Sequence, residues 1–171
     1  YTQVDHLPTH GKRVVFQGVE GAYSFGAMKE FFDDTITSFH VDTWKEAMEA
    51  ITRGEADYAV LPIENSTAGI VSDIYDLLVE YPHYIVGEQE LPVEHVLMAL
   101  PGAKAEEIRT VISHPQALAQ CRRFLDSNEN WKTEERLNTA AAAKEVSESG
   151  DLTMAAVGSP YAAEHFGLQI L

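Results

Sequence analysis

Short apolar runs alternate with segments of helical periodicity along most of the chain, and this alternation constrains the fold more than any other feature. The first run, residues 13–18 (RVVFQG), precedes VEGAYSFGAMKEFF, in which apolar residues recur at helical spacing. Residues 38–41 (SFHV) and the run ADYAVLPIENS are the next predicted strands, and an amphipathic helix follows each. We expect Asp42 or Thr43 to cap the first of these helices and Gly54 to close it. This β-α-β-α-β-α order predicts a sheet with helices packed on its faces.

The pattern changes near residue 84, where YIVGEQELPVEHVLMALPG contains two β-rich runs interrupted by Pro92. The strand and helix alternation then resumes and continues nearly to the end of the chain. Strands are predicted at 108–113 and in TMAAVGS, a weak extended stretch in WKTEERLN, and helices in HPQALAQCRRFLDSN, TAAAAKEVSESG and PYAAEHFG. We therefore predict two α/β lobes, joined by extended segments.

Composition excludes several classes of partner. With 12 Lys and Arg against 27 Asp and Glu, the net charge of −15 repels nucleic acid phosphates and anionic membranes. We predict neither of these partners and no membrane span, because no apolar stretch approaches about 20 residues. The N-terminal residues lack a signal sequence, and the single cysteine, Cys121, excludes an internal disulfide and a cysteine-based metal site. A cytoplasmic protein without a bound metal is the expectation.

Four turns share one arrangement: GVEGAYS (18–24), ENSTAG (64–69), SHPQA (113–117) and NTAAAA (138–143). Each follows a strand or an extended run and precedes a predicted helix, so each offers unpaired N–H groups at the carboxyl ends of strands, where ligands bind in α/β sheets. A small carboxylate-bearing ligand suits such donors in an acidic protein. Each turn also has a purely structural explanation, as a tight glycine turn or a helix cap.

In their combination and order, these motifs resemble the prephenate dehydratase family. The matching stretches are FQGVEGAYS, GEADYAVLPIENSTAGIVSDIYDLL, IVGEQELPVEHVLM, VISHPQALAQCRRFL, TAAAAKEV and AAVGSPYAAEHFGLQIL. The resemblance covers about residues 13–171. It implies an α/β fold of the periplasmic-binding-protein-like type, with two lobes and a ligand cleft between them. We expect a linker at 1–11, a first lobe at 12–89, a second lobe at 90–165 and a return toward the first lobe at 166–171.

The resemblance also implies an activity and its partners. Family members convert prephenate to phenylpyruvate by decarboxylative dehydration on the route to phenylalanine, without a cofactor. We expect a homodimer in the intact protein, with a possible chorismate mutase fused upstream and a possible phenylalanine-sensing ACT domain downstream. Two alternatives stay open, namely arogenate as the substrate and a binding module that holds a small carboxylate without turnover.

The resemblance assigns catalytic roles to Glu64, Asn65 and Gln116. Asn65 and Gln116 would be neutral orienting groups that donate and accept hydrogen bonds. Glu64 is either an acid with a raised pKa or a structural cap, and His114 is either a proton donor or a residue that orders its loop. The candidate substrate-binding residues are Ala22, Tyr23, Ser24, Asn65, Ser66, Thr67, Gly69, His114, Gln116, Thr139 and Ala140.

The sequence departs from the family pattern in three respects. Val19 stands where the family usually has proline, and Ala22 where threonine or serine is common. The family's Thr-Arg-Phe motif, whose threonine is regarded as essential, does not occur in residues 1–171, and the run Thr52-Arg53-Gly54 lacks its phenylalanine. We therefore expect an impaired fragment of a longer protein, with a linker at its N-terminus.

Overall fold

The computed structural model describes residues 7–65 and 69–171, which divide into two compact α/β units. Unit 1 comprises residues 7–19 and 24–91, and unit 2 comprises residues 20–23 and 92–171. The α/β architecture predicted from the alternation of strands and helices is confirmed. The candidate residues Ser66 and Thr67 lie outside the described residues.

Unit 1 is built around a parallel three-stranded sheet. Strand β1 (Arg13–Gln17) lies in its centre and pairs with β2 (Thr37–Val41) on one side and β3 (Tyr58–Val60) on the other. The remaining elements are α1 (Tyr23–Phe31), α2 (Trp44–Thr52), α3 (Ser72–Glu80) and a short antiparallel pair, β4 (Glu64–Asn65) with β5 (Gly69–Ile70). Tyr23, the first residue of α1, belongs to unit 2.

The core of unit 1 follows from the alternation of side chains along β1. Val14 and Phe16 are buried on one face against Met28, and Val15 is buried on the other face against Ala47 and Ala50. Because both faces are covered, β1 is apolar throughout its central residues, as strands of parallel sheets usually are.

Helix α2 begins and ends as the sequence predicts. Thr43 is its N-cap, where the Thr43 side chain accepts a hydrogen bond from the Glu46 N–H and the Glu46 carboxylate accepts one from the Thr43 N–H. These reciprocal bonds form a capping box and choose Thr43 over Asp42. Gly54, with a positive φ of 68°, follows the C-cap.

Unit 2 is built around a five-stranded mixed sheet in the order β10-β6-β9-β7-β8. Strands β7 (Thr110–Ser113), β8 (Lys132–Glu135) and β9 (Met154–Gly158) are parallel, whereas β6 (Val96–Ala99) runs antiparallel to β9 and to β10 (Gln169–Ile170). The helices are α4 (Pro115–Gln120), α5 (Arg122–Asp126), α6 (Thr139–Ser149) and α7 (Pro160–His165), with a 3-10 turn at Ala105–Glu107.

Two apolar layers cover the faces of the unit 2 sheet. Val111 and Val157 pack with Leu125 on one face, and Ile112 and Val146 pack on the other. Alanines of α6 and α7 fill the second layer, so these helices approach the sheet closely: Ala142, Ala143, Ala162 and Ala163 are all buried there.

Several predicted elements differ from the structure. Residues 82–95, all of them described, form neither helix nor strand, so the first β-rich run near residue 84 was predicted wrongly. Its apolar side chains, such as Tyr84 and Ile85, are exposed, and strand propensity alone does not form a strand without a pairing partner. The helix predicted after residue 113 is divided at Cys121 into α4 and α5. The terminal residues, assigned above to a return crossing, instead include β10, which pairs with β6 of unit 2.

Candidate functional site

The turn at residues 20–23 is a predicted binding motif that packs within unit 2. Gly21 has a φ of 87°, which favours glycine, and a Cβ at this position would lie 2.9 Å from the Ala162 Cα. The buried Ser159 hydroxyl donates a hydrogen bond of 2.6 Å to the Gly21 carbonyl oxygen. The turn is thus fixed against the N-terminus of α7, and only glycine fits the contact.

Tyr23 closes the same turn and anchors it at a second place. Its hydroxyl donates to the Glu94 carbonyl oxygen at 2.7 Å and lies 3.0 Å from Nδ1 of His95. His95 Nε2 lies 2.8 Å from the side-chain oxygen of Gln120. Burial, which is the main cause, and the nearby Cys121 raise the pKa of Tyr23, so the phenol keeps its proton at neutral pH.

Three helices of unit 2 begin at the carboxyl ends of its parallel strands, and a polar side chain caps each of them. His114 Nδ1 accepts from the Gln116 N–H at 3.2 Å, Asn138 Oδ1 accepts from the Ala141 N–H at 2.7 Å, and Ser159 Oγ accepts from the Ala162 N–H at 3.0 Å. Asn138 is the N-cap of α6, which confirms the helix-cap explanation of the turn at 138–143, and His114 orders the start of α4. These caps satisfy part of the free N–H groups of each helix.

Thr139 lies beside the end of β9. A Cβ built on Gly158 would meet the Thr139 Cβ and carbonyl oxygen at 3.5 Å each, so β9 and the first turn of α6 are in close contact. Ala140, the next residue, is buried. Because Ser159 follows Gly158 directly and binds Gly21, the predicted residues Ala22, Tyr23 and Thr139 lie around one corner of unit 2.

The ENSTAG segment of unit 1 is not a turn between a strand and a helix, as the sequence suggested. Glu64 pairs with Ile70 and Asn65 with Gly69 in an antiparallel hairpin, and α3 starts only at Ser72. Val71 is the N-cap of α3 and makes no side-chain cap, so the explanation of this segment as the cap of the next helix is wrong for Asn65, and Ser66, the other candidate cap, lies outside the described residues. Gly69 has a φ of 79°, which the hairpin requires of it. Glu64 is exposed and Asn65 is half-buried.

The other predicted residues have less defined surroundings. Ser24 is half-buried, and it is the first residue of α1 that belongs to unit 1. Gln116 is exposed on the first turn of α4, where its side chain is accessible to a ligand. Whether Glu64, Asn65 and Gln116 act in catalysis stays a prediction.

Sequence reasoning missed His95, Gln120 and Ser159. Ser159 precedes a proline at the start of a helical pattern, a signal that identifies an N-cap but not its bond to Gly21. His95 stands alone before an apolar strand, and nothing in its neighbourhood distinguishes it from a surface histidine. The residue that pairs with it, Tyr23, is 72 positions away in the sequence.

Two possible features are not found in the part of the chain that the structure describes. His, Cys, Asp and Glu side chains nowhere gather in threes in an arrangement that would hold a metal ion. Within residues 7–65 and 69–171, every helix is too short or too polar to cross a lipid bilayer.

In unit 2, polar turns lie at the carboxyl ends of the parallel strands, the edge at which α/β sheets commonly bind ligands. The model of the prephenate dehydratase family matches residues 14–171. The chain therefore belongs to the prephenate dehydratase family, and the resemblance found in the sequence is confirmed.

Individual relatives carry three different descriptions. The chain is 43% identical to arogenate dehydratase 1 of Petunia hybrida over 99% of its own length and 41% of the relative. It is 36% identical to the bifunctional chorismate mutase/prephenate dehydratase of Escherichia coli K12, covering 98% of the chain and 44% of the relative. A solved structure described as GqqA, a novel type of quorum quenching acylase, matches with a TM-score of 0.83 and 38% identity, covering 94% of the chain and 57% of that protein. The chain thus spans less than half the length of the Petunia and E. coli relatives.

Proposed function

We propose that this chain binds prephenate or arogenate and takes part in its decarboxylative dehydration. The match of the family model to residues 14–171 carries the proposal. The fixed turn at residues 20–23 and the helix starts of unit 2 support it. Each cap takes only one of the N–H groups that a helix start leaves unpaired, so backbone N–H groups remain for carboxylates without a cationic side chain.

The reaction needs a proton donor and orientation more than covalent chemistry. The bond between the ring and its carboxylate breaks, CO₂ leaves, and the electron pair of the broken bond enters the ring. The ring hydroxyl then departs from the opposite carbon with a proton, as water, and the ring becomes aromatic. The protein must orient the substrate and stabilise the charge that develops on the departing oxygen. No redox equivalent enters or leaves.

Asn65 and Gln116 are the residues that we assign to orientation. Their amides donate and accept hydrogen bonds without adding charge near the carboxylate that must leave as CO₂. Gln116 is exposed on α4 and Asn65 is half-buried, so both positions permit contact with a ligand. Glu64, which is exposed, is proposed to support the hairpin that carries Asn65.

The acidic or hydroxyl group that protonates the departing oxygen is not assigned to these residues. Residues 1–171 contain no Thr-Arg-Phe sequence, so we expect them to be weak catalysts on their own. We propose that the full activity belongs to a protein in which this chain acts as a homodimer in the cytoplasm. A chorismate mutase segment, as in the name of the E. coli relative, and an ACT domain are possible additions.

The substrate is tested by measuring phenylpyruvate formation from prephenate and phenylalanine formation from arogenate. Residues 1–171 and the longest natural protein that carries them are compared in the same assay. Turnover of either substrate by the longer protein supports the proposal. Binding of both substrates in calorimetry without turnover favours a binding module. Quorum-quenching acylase activity, without dehydration, would favour the function named for the structural relative GqqA.

The assigned residues are tested by Asn65→Ala and Gln116→Ala in the active protein. Each change is expected to lower kcat/KM by roughly 10², which corresponds to ~2.7 kcal/mol of transition-state stabilisation, with little change in Tm. Asn130→Ala and Gln89→Ala remove an amide from exposed positions and should leave kcat/KM unchanged. If both active-site variants unfold instead, the amides have a structural role.

A further inference from the structure

Four groups of unit 2 form one connected hydrogen-bond chain that the sequence did not reveal. The Tyr23 hydroxyl lies 2.7 Å from the Glu94 carbonyl oxygen and 3.0 Å from His95 Nδ1, and His95 Nε2 lies 2.8 Å from Gln120 Oε1. The rings of Tyr23 and His95 are 6.0 Å apart between centroids. Gln120 is the last residue of α4, whose first turn carries Gln116.

A count of protons fixes the direction of these bonds. The phenol has one proton, and the short distance to a carbonyl oxygen, which can only accept, places that proton toward Glu94. The phenol oxygen must therefore accept from His95, so Nδ1 of His95 carries a proton. If Nδ1 were bare, the phenol would face two acceptors with one proton. Nε2 then either donates to the Gln120 oxygen from a doubly protonated ring, or accepts from a Gln120 amide turned by 180°.

The charged and titratable groups around these hydrogen bonds also favour a phenol that donates to Glu94. Glu94, Cys121 and Tyr161 surround the Tyr23 hydroxyl, and each disfavours its ionisation, which keeps the phenol a donor. His95 is half-buried directly before β6, a strand in the interior of the unit 2 sheet. His95 therefore connects a rigid sheet to two segments with predicted binding residues, the turn at 20–23 and α4.

We propose that His95 is a positioning residue of the dehydratase site, which holds the Tyr23 hydroxyl through a protonated Nδ1 and so fixes the backbone N–H groups of Ala22 and Tyr23 for a substrate carboxylate. This inference rests on the proposed function. His95 itself touches no reacting atom, and its effect passes through Tyr23.

The chain offers variants that separate the two ring nitrogens. The amide nitrogen of asparagine occupies nearly the place of Nδ1, so His95→Asn keeps a donor for Tyr23. His95→Gln places its amide near Nε2 and loses that donor, and His95→Leu loses both. His10 is exposed in unit 1, so His10→Leu serves as a matched control. Tyr23→Phe removes the group that His95 holds.

We expect His95→Gln and His95→Leu to lower kcat/KM by about fivefold to tenfold, the effect of one lost hydrogen bond, and His95→Asn to stay within about twofold of wild type. In the Tyr23→Phe background, His95→Leu should cause no further loss, because the interaction is already gone. If His95 had only a structural role, the Asn and Gln variants would not differ in kcat/KM in this way. Equal kinetics for the Asn and Gln variants, or full additivity with Tyr23→Phe, would overturn the inference.

A spectroscopic measurement tests the network without reference to activity. In protein labelled with ¹⁵N in its histidines, the two-bond ¹H–¹⁵N spectrum should show His95 with a proton on Nδ1. A neutral ring protonated only on Nε2 would refute the arrangement. If the longest natural protein that carries this chain shows the protonated Nδ1 but no dehydration, the proposed function fails and the positioning role fails with it. If that longer protein is active and its His95 variants match it, only the positioning role fails.

Discussion

Gly21 offers a direct test of how the turn at residues 20–23 is held in unit 2. Its positive φ of 87° alone makes alanine unfavourable, by about 1–2 kcal/mol for a residue forced into the left-handed region. In addition, the alanine Cβ would approach the Ala162 Cα to 2.9 Å, a backbone atom in a helix that cannot rotate away. Overpacking of this kind typically costs about 1–3 kcal/mol.

Gly150 supplies the matched control, because it isolates the conformational cost. It also belongs to unit 2 and has a positive φ of 66°, but a Cβ built there meets nothing within 4 Å. We expect Gly150→Ala to lower the free energy of unfolding by about 1–2 kcal/mol and Gly21→Ala by about 2–5 kcal/mol. The difference between the two variants measures the contact with α7.

Urea unfolding in a Trp44→Phe background measures this difference. Trp44 lies in unit 1, so the remaining tryptophan, Trp131, reports on unit 2, where it packs against the buried cluster around Val111. The m value should be the same in both variants, so that the midpoints report stability. Equal losses for Gly21→Ala and Gly150→Ala would show that the turn does not pack on α7, and the structural basis for proposing a ligand site at this corner of unit 2 would be lost.

Three further changes test other parts of the structure. Ser159→Ala removes an N-cap and the bond to the Gly21 carbonyl, both buried, and should lower the free energy of unfolding by about 2–3 kcal/mol in urea; Ser147→Ala, within α6, should stay within about 0.5 kcal/mol. Thr43→Ala breaks the capping box of α2 and should cost about 1 kcal/mol in thermal unfolding, and an unchanged Tm would contradict that role. The Arg136 guanidinium lowers the pKa of Glu145 below its ordinary 4.5, so the pair stabilises the folded state above pH 4.5 and loses this effect as the pH falls through the lowered pKa. Glu145→Gln should therefore be less stable than wild type at neutral pH and approach it in acid; a difference that persists at low pH would show that the charge of Glu145 is not the cause.

The strands that sequence reasoning predicted best are those buried on both faces. β1, β7 and β9 are short runs of apolar residues between polar turns, and their side chains form the two layers of each unit. Local patterns also identify the helix starts at Thr43 and Asn138, because caps depend on residues only three positions apart. These features are local, so a single sequence reveals them.

The features that the sequence did not reveal depend on distant partners. The bond between Ser159 and Gly21 joins residues 138 positions apart, and it is one of the contacts that place residues 20–23 in unit 2. The two-residue strands β4 and β5 are too short for a periodic signal. The division of the helix at Cys121 is not marked by a glycine or a proline, so the sequence does not predict it. The same limitation hid the role of His95, whose meaning depends on Tyr23.

The charge distribution leads to a last prediction about how an acidic protein binds an anionic substrate. The net charge is −15. Several basic side chains of unit 2 are engaged in ion pairs: Arg136 with Glu145 and Glu134, Arg122 with Asp126, and Lys144 with Glu148. Substrate carboxylates would then be held by fixed backbone N–H groups at short range, while the protein as a whole repels them at long range. At 0.1 M salt the screening length is about 10 Å, so added salt weakens the repulsion more than the short contacts. The KM for prephenate or arogenate should therefore fall or stay constant as NaCl rises from about 10 mM to about 200 mM, because the screening length passes through about 10 Å in this range. A KM that rises steeply over the same range would mean that free arginine or lysine side chains bind the substrate, and the assignment to backbone donors would be wrong.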